Sequence, residues 1–228
     1  MEDNIKTICL DFYGLPGCGK STISHLLANE LRKDFKVAEP SYEMDHGHSV
    51  TGRLFRKSFE AFRLLIIYPR SFFSLVRLLK ECGFVFYKKD FYIHLLNISY
   101  KINSLNNPSA HFVIFDQGLW QSAVSLYYMK ERKENVVEAY KKLLSIVTHS
   151  VRYSNMYIQV DINTAIERMD TRKAANSRVQ LLDECSRLNE LSNLLALMED
   201  LPNPRFIINS AQNDQSSCVD SILKMINS

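Results

Sequence analysis

Little in this sequence is extreme, and each shortage excludes something. Seven glycines and six prolines among 228 residues leave no Gly- or Pro-rich linker, and there is neither a low-complexity tract nor an internal repeat. Basic residues exceed acidic ones by only three, 28 against 25, which is too few to argue for nucleic acid as a partner. Long hydrophobic runs are missing. The most apolar, Leu64-Leu65-Ile66-Ile67-Tyr68, sits between Arg63 and Arg70 and falls far short of the ~20 residues that span a bilayer. The five cysteines (Cys9, Cys18, Cys82, Cys185 and Cys218) show no paired metal-ligand spacing. The first residues do not read as a signal peptide, so a reducing, cytoplasmic setting is the expectation. What is present is ordinary globular composition, 46% hydrophobic and 23% charged, enough for one well-packed domain over residues 1–228.

Against that background one stretch stands out. Gly14-Leu15-Pro16-Gly17-Cys18-Gly19-Lys20-Ser21, followed by Thr22, fits the phosphate-loop pattern G-x-x-x-x-G-K-[ST]. Each fixed position answers to a polyphosphate and its Mg²⁺. The glycines let backbone N–H groups turn inward as an anion nest. Lys20 is placed to reach the outer phosphates, and the Ser21 hydroxyl to ligate Mg²⁺. The surroundings support the motif. Ile5–Tyr13 reads as an apolar strand, and Ile23, Leu26, Leu27 and Leu31 recur downstream at helical spacing.

Further strands are expected at Phe35–Glu39, stopped by Pro40, and at His111–Asp116, Asn155–Val160 and Arg205–Asn209. Ser41–Gly52 reads as a polar loop. Residues 53 to about 105 read as a helical insertion broken near Pro69 and Gly83. Helical patterns follow over 119–131, 134–149, Thr164–Arg172 and Val179–Asp200, and a short helix closes the chain. Short apolar strands alternating with helices imply an α/β fold, a three-layer sandwich on a five-stranded parallel sheet. Ligands in such sheets gather at the carboxyl ends of the strands, where the loop, Glu39, Asp116, Asp161 and Asn209 all fall.

Asp116 ends a hydrophobic strand in the Walker B position, suited to holding Mg²⁺ together with Ser21. Glu39 is placed to act as base on an acceptor hydroxyl, or to hold a phosphate-binding arginine. The segment 168–178, with Arg168, Arg172 and Arg178, is expected to be a lid whose arginines neutralise the transferring group. Asp45-His46-Gly47-His48 matches no structural zinc pattern and reads as polar loop. The aromatic residues Phe55, Phe59, Phe62, Phe72, Phe73, Phe84, Phe86, Tyr87, Phe91 and Tyr92 read as helix packing, with one or two available to an acceptor pocket. Nine basic residues stand against three acidic ones between Arg53 and Asp90, a charge that suits solvated helix faces, an anionic substrate or a membrane surface.

Taken in order, the loop 14–22, Glu39-Pro40, Asp116 and the arginines of 168–178 resemble the thymidylate kinase-like branch of the phosphate-loop nucleoside and nucleotide kinases. The resemblance implies ATP–Mg²⁺ as donor and a small-molecule acceptor such as a nucleoside or nucleoside monophosphate; a homodimer is a compatible assembly. It also implies adenine held between a lid arginine, Arg168 or Arg172, and the loop after Asn209. The chain departs from that family at Asp116-Gln117-Gly118, where an arginine usually follows the aspartate, and at Ser41-Tyr42-Glu43-Met44, where a glycine-rich stretch is usual. Gln117 supplies neither the charge nor the fork of donors of an arginine. The departures leave room for a non-nucleoside acceptor (a nucleotide sugar, an antibiotic or another hydroxyl compound), or for an ATP-binding regulatory protein without turnover.

Overall fold

The computed structural model describes residues 7–47, 49–105, 109–128, 133–149, 151–171, 182–200, 206–211 and 213–227. Five parallel strands form one sheet in the order β2-β3-β1-β4-β5. They are β1 (Ile8–Gly14), β2 (Val37–Ala38), β3 (Phe112–Phe115), β4 (Arg152–Gln159) and β5 (Phe206–Asn209). β1 lies at the centre, with Ile8 beside Phe112 of β3 on one side and Arg152 of β4 on the other. Six of its seven residues are buried, as a strand covered on both faces requires.

The phosphate loop leads from β1 into α1 (Lys20–Leu31), which contacts β1, β2 and β3 and carries α10 (Gln215–Asn227) behind it. Between β2 and β3 come α2 (Pro40–Gly47), α3 (Val50–Ile67), α4 (Pro69–Glu81) and α5 (Lys89–Leu105). α3 packs on α5 and on α4, while α4 also meets α7 (Lys133–Val147). α6 (Leu119–Tyr128) follows β3 and lies against β1. α8 (Ile162–Asp170) follows β4, and α9 (Glu184–Asp200) contacts α6 and α8. The chain leaves β1 towards β2 but leaves β3 towards β4, so adjacent strands β1 and β3 mark the switch point where such sheets bind ligands.

Several boundaries differ from the sequence reading. The expected loop over Ser41–Gly52 is mostly helical: α2 occupies Pro40–Gly47, and α3 begins at Val50. Pro40 does not stop a strand so much as start a helix, because its fixed φ and missing N–H suit the first helical turn. Ser49 then caps α3, its Oγ accepting from the Gly52 amide at 3.2 Å. Of the strand expected at Phe35–Glu39 only Val37–Ala38 pairs. Asp161 serves locally, its carboxylate accepting from the Thr164 amide at 2.9 Å and capping α8.

The aromatic residues of the insertion are the larger correction. Phe84 and Phe91 are buried as packing predicts, but Phe55, Phe59, Phe62, Phe73, Phe86, Tyr87 and Tyr92 are exposed. The cysteines form no disulfide; Cys185 is exposed, and the other four are buried. Among the described residues no helix is long and apolar enough to cross a membrane.

Candidate active site

Residues 15–19, between β1 and α1, fold as a tight loop against the start of α8. Gly17 has φ +85°, and a Cβ there would lie 2.4 Å from the Ala165 carbonyl oxygen, so the position tolerates only glycine. The Lys20 ammonium is nearly buried and donates to the carbonyls of Gly14 at 2.9 Å and Leu15 at 2.8 Å. Gly14 donates its own amide to Gln121 Oε1 at 3.3 Å, which ties the loop to α6. The Ser21 hydroxyl donates to Asp116 Oδ2 at 2.9 Å, joining the ends of β1 and β3 across the switch point.

The second carboxylate oxygen of Asp116, Oδ1, is buried without a hydrogen-bond partner. A hydroxyl and a carboxylate with one unsatisfied oxygen are the hard donors Mg²⁺ takes, so Ser21 and Asp116 fit the ion the motif implies. Among the described residues no group of three or more His, Cys, Asp or Glu side chains forms a metal cluster. The Asp45–His48 reading is not among the described side chains: His48 lies outside the described residues, and those of 45–47 are not described either.

Glu39 lies beside this pair. With Ser21, Ser24, Tyr42, Ile114 and Asp116 it lines a small cavity of about 20 Å³. Its carboxylate is buried and held by His25 Nδ1 of α1 at 3.2 Å and by Nη2 of Arg32, the C-cap of α1, at 2.7 Å. His25 in turn stacks on Tyr42 of α2.

On one side of the loop a cavity of about 630 Å³ is lined by Gly17, Cys18, Gly19, Thr22, Arg168 and Thr171, and by Ser210, Asn213, Asp214 and the start of α10 among others. Arg168 donates to the Ser210 carbonyl at 2.6 Å and to its hydroxyl at 3.1 Å. That hydroxyl donates to the Cys18 carbonyl at 2.8 Å, so α8, the turn after β5 and the phosphate loop are locked together. Asn209 shapes this turn and is not among the lining residues: its Oδ1 accepts from the Ala211 amide at 3.0 Å. Arg172 and Arg178, with most of the expected lid, lie outside the described residues.

On the other side a cavity of about 320 Å³ opens between α2, α3, α5 and α6, with Asp116, Gln117 and Gln121 at its floor. Its walls carry Lys57 and Lys101, together with His94, Asn97 and Ser122. None of the ten aromatic residues singled out in the sequence lines it; Tyr100 does, its hydroxyl donating to the Pro40 carbonyl at 2.9 Å. Lys101 donates to the Gly118 carbonyl at 2.9 Å and to Ser122 Oγ at 2.7 Å. Burial pushes its ammonium down to about 8, although Asp11 and Asp116 pull the other way.

Asp11 is the hidden member of the site. Fully buried on β1, it accepts from the Trp120 amide at 3.1 Å and from the Tyr153 hydroxyl, while its Oδ1 has no hydrogen-bond partner. Burial pushes its carboxyl up to about 6, against the Tyr153 and Trp120 hydrogen bonds and the Lys101 charge. A Cβ at Gly118 would fall 2.1 Å from Asp11 Oδ1, which accounts for the glycine in Asp116-Gln117-Gly118. Sequence reasoning had Lys57 only as one of the nine basic residues between Arg53 and Asp90, and missed Asp11, Lys101, Gln121 and Ser210. Only Asp11 left a signal, as a lone carboxylate inside an apolar strand.

No protein-family model matches the sequence, and no curated protein does. Solved structures do resemble the fold. A shikimate kinase from Bacteroides thetaiotaomicron is 11% identical with a TM-score of 0.54, over 97% of this chain and 99% of that one. The Bacillus subtilis YorR protein, solved in complex with phosphorylated GDP, is 13% identical at 0.50, over 96% and 95%. Deoxyadenosine kinase from M. mycoides with bound dCTP is 17% identical at 0.50, over 96% and 99%. At such identities the likeness shows the fold alone, an α/β three-layer sandwich on a five-stranded parallel sheet.

Proposed function

We propose that this protein transfers the terminal phosphoryl group of ATP to a small-molecule acceptor. One observation carries the reading: the Lys20, Ser21 and Asp116 cluster stands between two cavities of different chemistry. The larger is bounded by the phosphate loop, Arg168 and the turn after β5, as a nucleotide donor requires. The smaller collects amides, hydroxyls and two lysines beside Asp116, as a polar acceptor requires.

Ser21 and Asp116 would hold Mg²⁺, which would supply neutralisation of phosphate charge. Lys20 stabilises the negative charge of the group in flight, and the loop amides of Gly17–Ser21 hold the flanking phosphates. Arg168, fixed by Ser210, walls the nucleotide cavity, and Arg172 and Arg178 supply lid charge over the transferring group. Glu39 orients the acceptor hydroxyl and receives its proton. Arg32 and His25 keep the carboxylate in place, and little basicity is needed because the reaction runs on positioning and electrostatics. Lys57 and Lys101 give the acceptor side the positive charge that Gln117 lacks.

A nucleoside or nucleoside monophosphate is the acceptor that the resemblance and the arrangement of the site together suggest. A second reading, a compact non-nucleoside hydroxyl compound, is favoured by the lining itself. Among the described residues its rings are those of Tyr100 and His94, and Tyr100 is covered by the Arg56 guanidinium 5.9 Å from its centroid. A panel of nucleosides, nucleotides, sugars and hydroxy acids with labelled ATP separates the two. Lys20→Ala is expected to lower turnover at least a thousandfold with an unchanged circular dichroism spectrum. Retained activity in that variant overturns the mechanism.

A further inference from the structure

A second opening adjoins the cavity beside Asp116. Between α3 and α5 lies a groove of about 330 Å³. Val50, Leu54, Ile93 and Leu96 supply its apolar surface, and Arg53, Lys57 and Asn97 its polar one. Lys57 and Asn97 also line the acceptor cavity of about 320 Å³, so the two spaces meet at that pair. Helix geometry explains the lining. On α3, positions 50, 53, 54 and 57 recur at spacings of three and four that share one face, as do 93, 96 and 97 on α5. Asn97 is one turn of α5 from Lys101 and Ile93 two, so the groove continues the acceptor side for about 12 Å along that helix.

We propose that the acceptor is a hydroxyl compound bearing an apolar arm that ends in an acid. Its hydroxyl lies in the polar cavity beside Asp116, its arm passes Lys57 into the groove, and its acid meets Arg53. The assignment rests on the phosphoryl-transfer reading above. Val50, Leu54 and Ile93 are 73, 59 and 41% exposed, so the groove gathers apolar surface that an arm would take out of water. Its charge has one sign, because Arg53 and Lys57 line it and no carboxylate does. Lys57 and Lys101 already disfavour one another's charge where the two spaces meet, which turns away a cationic acceptor. Size points the same way. Ligand cavities run to ~300–1,000 Å³, and each space alone is at the small end of that range.

The transfer step itself is unchanged. The acceptor oxygen bonds to the γ-phosphorus of ATP as the bond from that phosphorus to the β–γ bridging oxygen breaks. ADP leaves, and the hydroxyl proton passes to Glu39.

Isothermal titration with octanoate, which has the arm and the acid but no hydroxyl, tests the groove apart from catalysis. Each buried methylene strengthens binding by up to about fourfold, so octanoate is expected to bind at least tenfold tighter than butanoate. Arg53→Met is expected to weaken octanoate about tenfold or more, the loss of a charged hydrogen bond. Leu54→Asp is expected to remove the preference for the longer chain, and both variants should keep the wild-type circular dichroism spectrum. Should Leu54→Asp not fold, Leu54→Ser is expected to reduce that preference at least twofold. With labelled ATP, 8-hydroxyoctanoate is expected to be phosphorylated at a lower KM than 4-hydroxybutanoate, and Arg53→Met to raise that KM. Octanoate that fails to bind at millimolar concentration overturns the proposal. So does octanoate bound equally by the wild type and the folded variants, which places it elsewhere, as on the exposed aromatic residues of α3. Transfer from ATP to other acceptors without Arg53-dependent binding of octanoate overturns the groove assignment alone. Arg53-dependent binding with transfer to no hydroxyl compound supports the groove and counts against the transfer reading.

Discussion

Lys101 and Gly118 show how single side chains set the acceptor side of the site. Lys101 is held by a carbonyl and a hydroxyl, and its proton leaves near pH 8 because burial disfavours the charged form. The cation is therefore present below that pH and lost above it. Acceptor kcat/KM in the wild type is expected to fall as pH rises from 7 to 9. Lys101→Met is expected to be about tenfold to hundredfold lower at pH 7, the range of a lost charged hydrogen bond. It should also show little of that alkaline decline, which pH–rate profiles of both proteins will reveal. Gly118→Ala tests the close approach to Asp11. Its methyl group has to displace a buried carboxylate fixed by Trp120 and Tyr153, at a cost of about 1–3 kcal/mol measured by urea unfolding.

At the scale of elements, Asp11 ties three together: β1 that carries it, β4 through Tyr153, and the first turn of α6 through the Trp120 amide. It thereby fixes where β3 ends and α6 begins, the turn that holds Asp116 and Gln117. Its carboxyl is raised from 3.8 to about 6, so the folded state holds the proton more tightly than the unfolded one. The associated stability is full below about pH 4 and is lost as pH rises through 6. Asp11→Asn, neutral throughout, is expected to gain on the wild type by a few kcal/mol between pH 4 and pH 7. Urea midpoints at pH 4, 5, 6 and 7 measure that difference. An unchanging gap between the two proteins would refute the assignment. α2 teaches a related lesson, for Ser41–Gly52 carries loop-like polar residues yet is mostly helix. Pro40 and Ser49 are the local starts, and the stacking of Tyr42 on His25 ties α2 to α1.

For the molecule as a whole, α3 joins two surfaces, with Lys57 towards the cavity beside Asp116 and Phe55, Phe59, Phe62 and Ile66 exposed. The phosphate loop, the strands at 111–116 and 155–160, and the pairing of Ser21 with Asp116 were legible in the chain. Each is a local pattern whose physics is complete within a few residues: backbone donors that need glycine, or an apolar run ended by a carboxylate. The aromatic residues of the insertion misled because periodicity reports a stripe but not what lies against it. Phe91 and Phe59 look alike in sequence, while one is buried and the other faces out. Arg168 was named from the sequence, whereas Lys101 could only be recognised once α5 had been set against the turn after β3. The sequence by itself determined the phosphate-loop motif, because a single strand–loop–helix segment builds it. The acceptor side was decided by tertiary structure, since its charges come from helices far apart in the chain and converge only at the switch point between β1 and β3.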